Sequence, residues 1–155
     1  MTCLCGNASA LPVASRCVDA AICVAMLHHV AEPAGVRATL QEMIRVVKPG
    51  GCLLVWDHNR LNPYWPNLMR RLPQDQEPTR LVPLGELLAD LVHPEIGRVG
   101  VWRLGLVPDF APASLLWFFR GVEWFVERLP GLRLLCAHNV VLVTKAAASS
   151  RSEGS

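Results

Sequence analysis

The sequence predicts an α/β protein with a mostly parallel sheet. Two apolar runs of strand length, residues 18–24 and 52–56, flank a segment whose apolar side chains recur at helical spacing. No hairpin turn joins the two runs, so the segment between them is a crossover helix and the strands pair in parallel. Both runs are almost continuously apolar, which is typical of strands buried on both faces.

The crossover helix is predicted from both of its ends. Proline at position 33 stands in the first turn, where the missing N–H removes no helical hydrogen bond. The apolar side chains share one face: they are Val36, Leu40, Met43, Ile44 and Val47. Lys48 suits the negative end of the helix dipole, and the Pro-Gly-Gly at 49–51 stops the helix and turns the chain into the second strand.

Polar residues follow each predicted strand. His28 and His29 come just after the first, and Asp57, His58 and Asn59 come at the tip of the second. Because ligands of open parallel sheets bind outside the carboxyl ends of the strands, these residues stand where an α/β protein keeps its chemistry.

Each of these residues has a structural interpretation beside the functional one. His28 suits a base or ligand, but a packed or hydrogen-bonded turn histidine is the favoured interpretation. Asp57 suits a group that orients or deprotonates an acceptor, and equally a cap or loop hydrogen bond. A catalytic pair of His58 with His138 has no support from sequence spacing.

The second half of the chain predicts shorter elements and one strong helix. The sequence predicts helices near residues 67–71, 83–91 and 112–129, and strands near 98–107 and 132–145. The aromatic residues Trp117, Phe118 and Trp124 of the strong helix suit core packing, with an apolar substrate pocket as the alternative.

Bulk properties exclude several classes of protein. The 155 residues carry a net charge of +2, without the clustered basic face of a nucleic-acid-binding protein. No apolar run is long enough to span a membrane, and no secretory signal is visible. The six cysteines form no Cys-x-x-Cys pair. A zinc site of Cys3, Cys5, Cys17 or Cys136 with the two histidines matches no usual spacing, so we expect reduced thiols, no metal and a cytoplasmic setting.

Several segments, in order and spacing, resemble the C-terminal half of a class I S-adenosylmethionine-dependent methyltransferase of the type 11 group. Residues 6–13 (Gly-Asn-Ala-Ser-Ala-Leu-Pro-Val) resemble the stretch after that family's third strand, usually Gly-Asp-Ala-x-x-Leu-Pro-Phe. Residues 18–30 resemble the fourth strand and its exit, and residues 40–51 resemble the next helix and its turn. Residues 57–63 and 129–145 are similar to the tip of the fifth strand and to the last strand.

The resemblance implies an incomplete Rossmann-like methyltransferase fold over residues 1–146, with an antiparallel last strand and a disordered tail at 147–155. It implies S-adenosylmethionine as cofactor and a small molecule as methyl acceptor. By matching positions, the implied cofactor-binding residues are Asn7, Ala8, Leu11, Cys23, Ala25 and His28. The implied catalytic residues are Asp57 and His58, which match the substrate-facing tip.

The departures from the family pattern suggest a second interpretation. No Gly-x-Gly-x-Gly loop occurs, and Asn7 stands where aspartate is usual. Such a loop lets backbone approach the cofactor where side chains would clash. The family's first strand would also lie beside residues 18–24, so we expect a truncated chain with an exposed, apolar strand edge open to self-association. The alternative to an active enzyme is therefore an inactive remnant or a subunit that depends on a partner.

Overall fold

A computed structural model describes residues 3–30, 32–65, 69, 80–105 and 112–147. The sheet is formed by four strands: β1 (Val18–Val24), β2 (Val47–His58), β3 (Ile96–Leu104) and β4 (His138–Lys145). The α-helices are α1 (Pro33–Val46), α2 (Leu84–Asp90) and α3 (Leu116–Arg128). Short 3-10 segments lie at Leu27–His29, Ala113–Leu115 and Leu132–Leu135. The helix predicted near residues 67–71 and most of the tail lie outside the described residues.

The strands form one sheet in the order β1-β2-β4-β3. β1 pairs with β2 in parallel, and β4 is antiparallel to both β2 and β3. Three strands therefore share one direction and the last strand runs against them. The α/β class, the mostly parallel sheet and the antiparallel last strand are confirmed.

Helix α1 covers one face of the sheet with the apolar stripe that its sequence predicts. Val36, Leu40 and Ile44 are buried, and they belong to one core cluster with Leu53 of β2 and Val141 of β4. Leu87 and Leu91 bring α2 and the residue after it into the same cluster. The core thus lies between the central strands and the two helices.

The predicted turn at residues 48–51 is a bulge in a longer strand. β2 begins at Val47, directly after α1, and its pairing with β1 jumps from Val18–Val47 to Ala20–Cys52. Gly50 takes a left-handed φ of 78°, which favours glycine. A Cβ on Gly51 would lie 2.6 Å from the Asp19 carbonyl oxygen. The proline and glycines therefore interrupt the pairing without ending the strand.

The expectation that β1 is buried on both faces is wrong. Among the described residues β1 pairs only with β2, so it forms an edge of the sheet. Ile22 and Val24 are 68% and 53% exposed, while Cys23 between them is buried. β1 therefore has more apolar surface than its described neighbours cover.

The prediction that the aromatic residues of the strong helix pack in the core is also wrong. No residue of α3 is buried. Trp117 is 75% exposed, and Phe118, Trp124 and Phe125 are each more than half exposed. An amphipathic pattern identifies an apolar face but not the surface that covers it, and here the described residues leave that face open. None of the described helices is long and apolar enough to cross a membrane.

A buried lysine ties the last strand to the crossover helix. Lys145 is 2% exposed, and its Nζ donates to the carbonyl oxygens of Ile44 (2.7 Å) and Val47 (2.9 Å) at the end of α1. Nζ also lies 2.7 Å from the Glu95 carboxylate. These partners satisfy the three donors of the ammonium group, so its burial leaves no donor unpaired.

We expect Lys145→Met to lower the free energy of unfolding by about 2–4 kcal/mol, because two buried carbonyls and one carboxylate lose their partner. Lys48→Met is the matched control, since Lys48 makes one exposed ion pair with Asp19 and its loss should change stability by less than about 1 kcal/mol. Urea unfolding followed by circular dichroism measures both. Equal effects of the two substitutions would contradict the anchoring role of Lys145.

Candidate functional site

The parallel pairing of β1 with β2 brings the two predicted strand ends side by side. Val24 pairs with Trp56, and the next amide, that of Ala25, donates to the Trp56 carbonyl at 2.8 Å. Ala25 has a φ of +48°, a left-handed conformation that is uncommon for alanine. This residue turns the chain sharply out of β1, and the 3-10 segment Leu27–His29 then passes beside the end of β2.

His28 and Asp57 form a buried pair across the two strand ends. The Nδ1–H of His28 donates to Asp57 Oδ1 at 2.8 Å, and both side chains are 3% exposed. The same oxygen accepts the backbone N–H of His58 at 2.8 Å. With Nδ1 donating to the carboxylate, neutral His28 presents Nε2 as its acceptor, which is the tautomer that a proton acceptor needs.

His58 is held in a stack of rings beside this pair. Its ring lies parallel to that of Trp65 at a centroid distance of 3.7 Å and to that of His28 at 4.3 Å. Burial, reinforced by the neighbouring His28, lowers the pKa of His58 to about 4, although the charge of Asp57 opposes the change. His58 is therefore neutral at neutral pH. His138 lies 5.5 Å from the His58 ring, so the fold does bring together the two histidines that sequence spacing could not pair.

Several buried polar atoms around this cluster lack a partner among the described residues. They include Asp57 Oδ2, His58 Nδ1 and both side-chain polar atoms of Asn139. Asn139 of β4 pairs in register with Asp57 of β2 and is 1% exposed. Buried polar groups are normally hydrogen-bonded, so a group of unpaired ones indicates a position for water or a ligand.

The geometry of the cluster is poorly suited to a metal ion, although its residue types are suitable. One ligand atom from each of His28, Asp57 and His58 lies within 4.8 Å of the others. The two imidazole rings are stacked at 15°, so their in-plane lone pairs run in parallel layers and do not converge on one point. The absence of a metal stays a prediction. Of the cysteines weighed for zinc, Cys3, Cys5 and Cys17 are exposed, and Cys136 is buried.

A groove of about 460 Å³ runs along β1 and contains three of the predicted cofactor-binding residues, Ala8, Leu11 and Cys23. Its other walls are apolar apart from the Thr39 hydroxyl: Val13, Val18, Ala20, Ala21, Ile22, Val24, Met26, Met43 and Val46. Burial and the charge of Asp57 raise the pKa of the Cys23 thiol to about 11. Cys23 therefore links the groove to the buried polar cluster.

The segment 6–13 is folded by its own polar contacts. Asn7 Oδ1 accepts from the backbone N–H of Ser9 at 2.9 Å and from its hydroxyl at 2.8 Å. The Leu11 N–H donates to Glu42 Oε2 at 2.7 Å, which fixes the segment to α1. The Oδ1 atom of the exposed Asn7 side chain is thus used by a local turn, and Asn7 is not among the groove-lining residues.

The chain after β2 is fastened to the segment before β4. Asn59 Nδ2 donates to the carbonyls of Leu134 and Cys136, both at 2.7 Å. Asn62 Nδ2 donates to the Leu135 carbonyl, and Trp65 Nε1 donates to the Ala137 carbonyl, both at 2.6 Å. These bonds hold Trp65 against His58.

The sequence analysis did not single out Trp65 or Asn139. The polar residues 137–139 do interrupt an otherwise apolar strand, and this was the available signal for Asn139. Trp65 follows the strand tip by seven residues in a proline-rich segment, and nothing in its spacing identifies the ring it meets.

We expect the protein to lose stability as the pH falls from 6.5 towards 4. The unfolded His58 has the ordinary pKa of 6.5 and takes up a proton in this range, whereas the folded side chain, with a pKa of about 4, does not. After allowance for its partial exposure, the contribution of His58 is about 1–2 kcal/mol. Urea unfolding at several pH values measures it.

His58→Phe preserves a stacking ring and should reduce this pH dependence. His93→Gln, at an exposed histidine, is the control and should leave the dependence unchanged. An unchanged slope in His58→Phe would show that the His58 ring titrates normally in the folded protein.

Comparisons with known proteins find methyltransferases that are similar to this chain in sequence or in fold. Residues 1–55 match the family described as "Methyltransferase domain". The chain is 40% identical over 74 residues to a demethylmenaquinone methyltransferase of Paenarthrobacter aurescens, an alignment that covers 44% of this chain and 28% of the relative.

Solved structures share the fold. A methyltransferase of Thermotoga maritima, described as dependent on S-adenosylmethionine, matches with a TM-score of 0.62 at 21% identity, over 90% of this chain and 62% of the other. A methyltransferase of Haloferax volcanii, solved in complex with the activator Trm112, matches with a TM-score of 0.59 at 19% identity, over 94% and 61%. The chain thus spans less than two thirds of each of these relatives. The family match over residues 1–55 and the shared fold confirm the resemblance to class I S-adenosylmethionine-dependent methyltransferases that was found in the sequence.

Proposed function

We propose that this chain takes part in methyl transfer from S-adenosylmethionine to a small-molecule acceptor. The observation that carries the proposal is the convergence of the β1 and β2 ends on one buried polar cluster, with the groove along β1 adjoining it at Cys23. S-adenosylmethionine supplies the methyl group on a sulfonium. The chain's own residues have to bind the cofactor and orient the acceptor, and positioning alone accounts for much of such a rate.

The groove fits one part of the cofactor. Its apolar walls suit the flat adenine ring, and Ala8, Leu11 and Cys23 are the predicted residues that would contact it. The walls include one hydroxyl and no charged group, so they offer little to the ribose and nothing ionic to the amino-acid end. We propose that Ala25 and His28, at the exit of β1, face the amino-acid end of the cofactor. Asn7 contributes to the site through the turn that it forms with Ser9.

The acceptor side of the proposed site is the end of β2. Asp57 fixes the tautomer of His28, so Nε2 of that ring is the atom suited to take a proton from the acceptor. His58, neutral and stacked on Trp65, offers a flat wall and one imidazole nitrogen without a partner among the described residues. We assign Asp57 an orienting role and His58 a binding role, and the demethylmenaquinone methyltransferase relative supports a small organic acceptor.

We expect this chain to bind S-adenosylmethionine weakly, with a Kd of about 1 mM or above, because the groove supplies apolar contacts, one hydroxyl and no charged group. Calorimetry and NMR titration of the 155-residue protein measure the affinity and the residues affected. Ala8→Trp fills the groove and should abolish the shifts, whereas Ala14→Trp, at an exposed position outside the groove, is the matched control.

Methyl transfer is then assayed at a saturating concentration of S-adenosylmethionine that carries a radiolabelled methyl group. A panel of small molecules is offered as acceptors. Transfer that Asp57→Asn removes and Asp19→Asn preserves would support the assignment of the site. Titration without saturable shifts in groove residues would contradict cofactor binding by this chain and favour the second candidate.

The second candidate is a subunit that needs another chain to complete its site, or an inactive remnant. The open edge of β1 favours it, because an apolar strand with an unpaired edge is a template for pairing with another strand. Such a strand would cover Ile22 and Val24 and would form a further wall of the groove. We propose a second copy of this chain as the source of that strand.

We expect the protein to self-associate, and Ile22→Lys to remove the association by placing a charge on the apolar edge. Sedimentation velocity over a range of concentrations measures this. Val92→Lys is the matched control, because Val92 is 84% exposed and lies outside β1. A monomer at all concentrations, or an oligomer that Ile22→Lys leaves intact, would contradict pairing through β1.

A further inference from the structure

The outer surface of α3 combines exposed aromatic rings with exposed arginines. Trp117, Phe118, Trp124 and Phe125, which we call the aromatic face, are 52–75% exposed. Arg120 and Arg128 are exposed with them, and the Arg128 guanidinium lies 3.9 Å above the Trp124 ring. A patch of large exposed rings on a helix usually marks a binding surface.

The carboxylates of this segment are less exposed than its arginines. Between residues 112 and 136 the only acidic residues are Glu123 and Glu127, and both are half-buried. Glu127 Oε1 accepts the backbone N–H of Gly105 at 3.1 Å. Glu127 also lines a pocket together with Arg128 and Arg133. The exposed side chains of the helix are therefore mainly apolar and cationic, with the two carboxylates half-buried beside them.

The leucines on either side of α3 extend the apolar surface. Leu115 precedes the helix, and Leu132, Leu134 and Leu135 follow it, each 39–45% exposed. Arg133 in the following 3-10 segment adds a third exposed cation. This segment is fixed to the protein by Asn59 and Asn62, so the surface has a defined position beside the carboxyl end of β2.

We propose that the aromatic face of α3 docks onto an anionic lipid surface. Tryptophan and phenylalanine on one side of a helix, with arginines beside them, are the composition of helices that lie in the plane of a membrane interface. The charge selects the occupant: three exposed arginines outnumber the two half-buried carboxylates of Glu123 and Glu127, and a net positive surface complements anionic headgroups. A symmetric dimer through this face would instead bring arginines of the two copies close to one another.

Docking in this orientation would bring the carboxyl end of β2 close to the lipid. It leaves the β1 edge, on the opposite side of the sheet, free of the membrane, because the 3-10 segment after α3 contacts β3. The proposal concerns adsorption to the surface and requires no membrane-spanning helix.

The test is co-sedimentation of the 155-residue protein with vesicles of phosphatidylcholine alone and of phosphatidylcholine mixed with phosphatidylglycerol. We expect binding to the mixed vesicles, with a blue shift of tryptophan emission and a loss of binding at high salt. Arg120→Gln with Arg128→Gln should lower the partition coefficient on mixed vesicles about thirtyfold. Trp117→Ser with Trp124→Ser should lower it at least about tenfold, because the rings no longer insert.

Val92→Ser is the matched control, since it changes an equally exposed apolar residue outside α3 and should not affect binding. Circular dichroism verifies that each variant is folded, which we expect for changes at exposed positions. Equal sedimentation with and without mixed vesicles would overturn the proposal. So would an arginine variant that binds like the wild type, or an oligomer that the tryptophan variant abolishes, since the latter would identify a protein as the occupant of this face.

Discussion

The parallel pairing of β1 with β2 is the constraint on which the rest of the structure depends. β2 is hydrogen-bonded to a parallel strand on one side and to an antiparallel strand on the other, so its register fixes both neighbours. Because Val24 lies beside Trp56, the chain leaves β1 where Asp57 can reach the 3-10 segment that carries His28. A shift of one residue would turn Asp57 to the other face of the sheet and separate the pair.

The polar cluster at the end of β2 is costly for stability, and this cost bears on its interpretation. Burial keeps His58 neutral, and Asp57 Oδ2 and the Asn139 amide have no partner in the described part of the chain. Buried polar groups without partners destabilise a fold by about 1–3 kcal/mol each. A protein whose only requirement was stability would carry apolar residues at these positions. This cost supports the proposal that the polar atoms of the cluster contact a ligand.

The sequence predicted the local elements well and the contacts between distant residues poorly. β1 has the predicted bounds, and α1 begins at the predicted proline, because periodicity and helix ends are local signals. The stack of His58 on Trp65 depends on hydrogen bonds from Asn59 and Trp65 to a segment more than 70 residues away. The exposure of Trp117 could not be predicted from the sequence either, because a helical pattern does not say whether a neighbour covers the apolar face of the helix.

The buried charged residues at the two ends of the sheet differ in how fully they are hydrogen-bonded. At one end Lys145 is buried with all three of its donors paired, and it joins β4 to the end of α1. At the other end Asp57 is equally buried but uses one oxygen for two hydrogen bonds and leaves the second without a partner among the described residues. Both ends lie in the same sheet and are crossed by the same two strands, β2 and β4. The difference therefore does not follow from depth or topology, and it supports the proposal that the end with Asp57 binds a ligand.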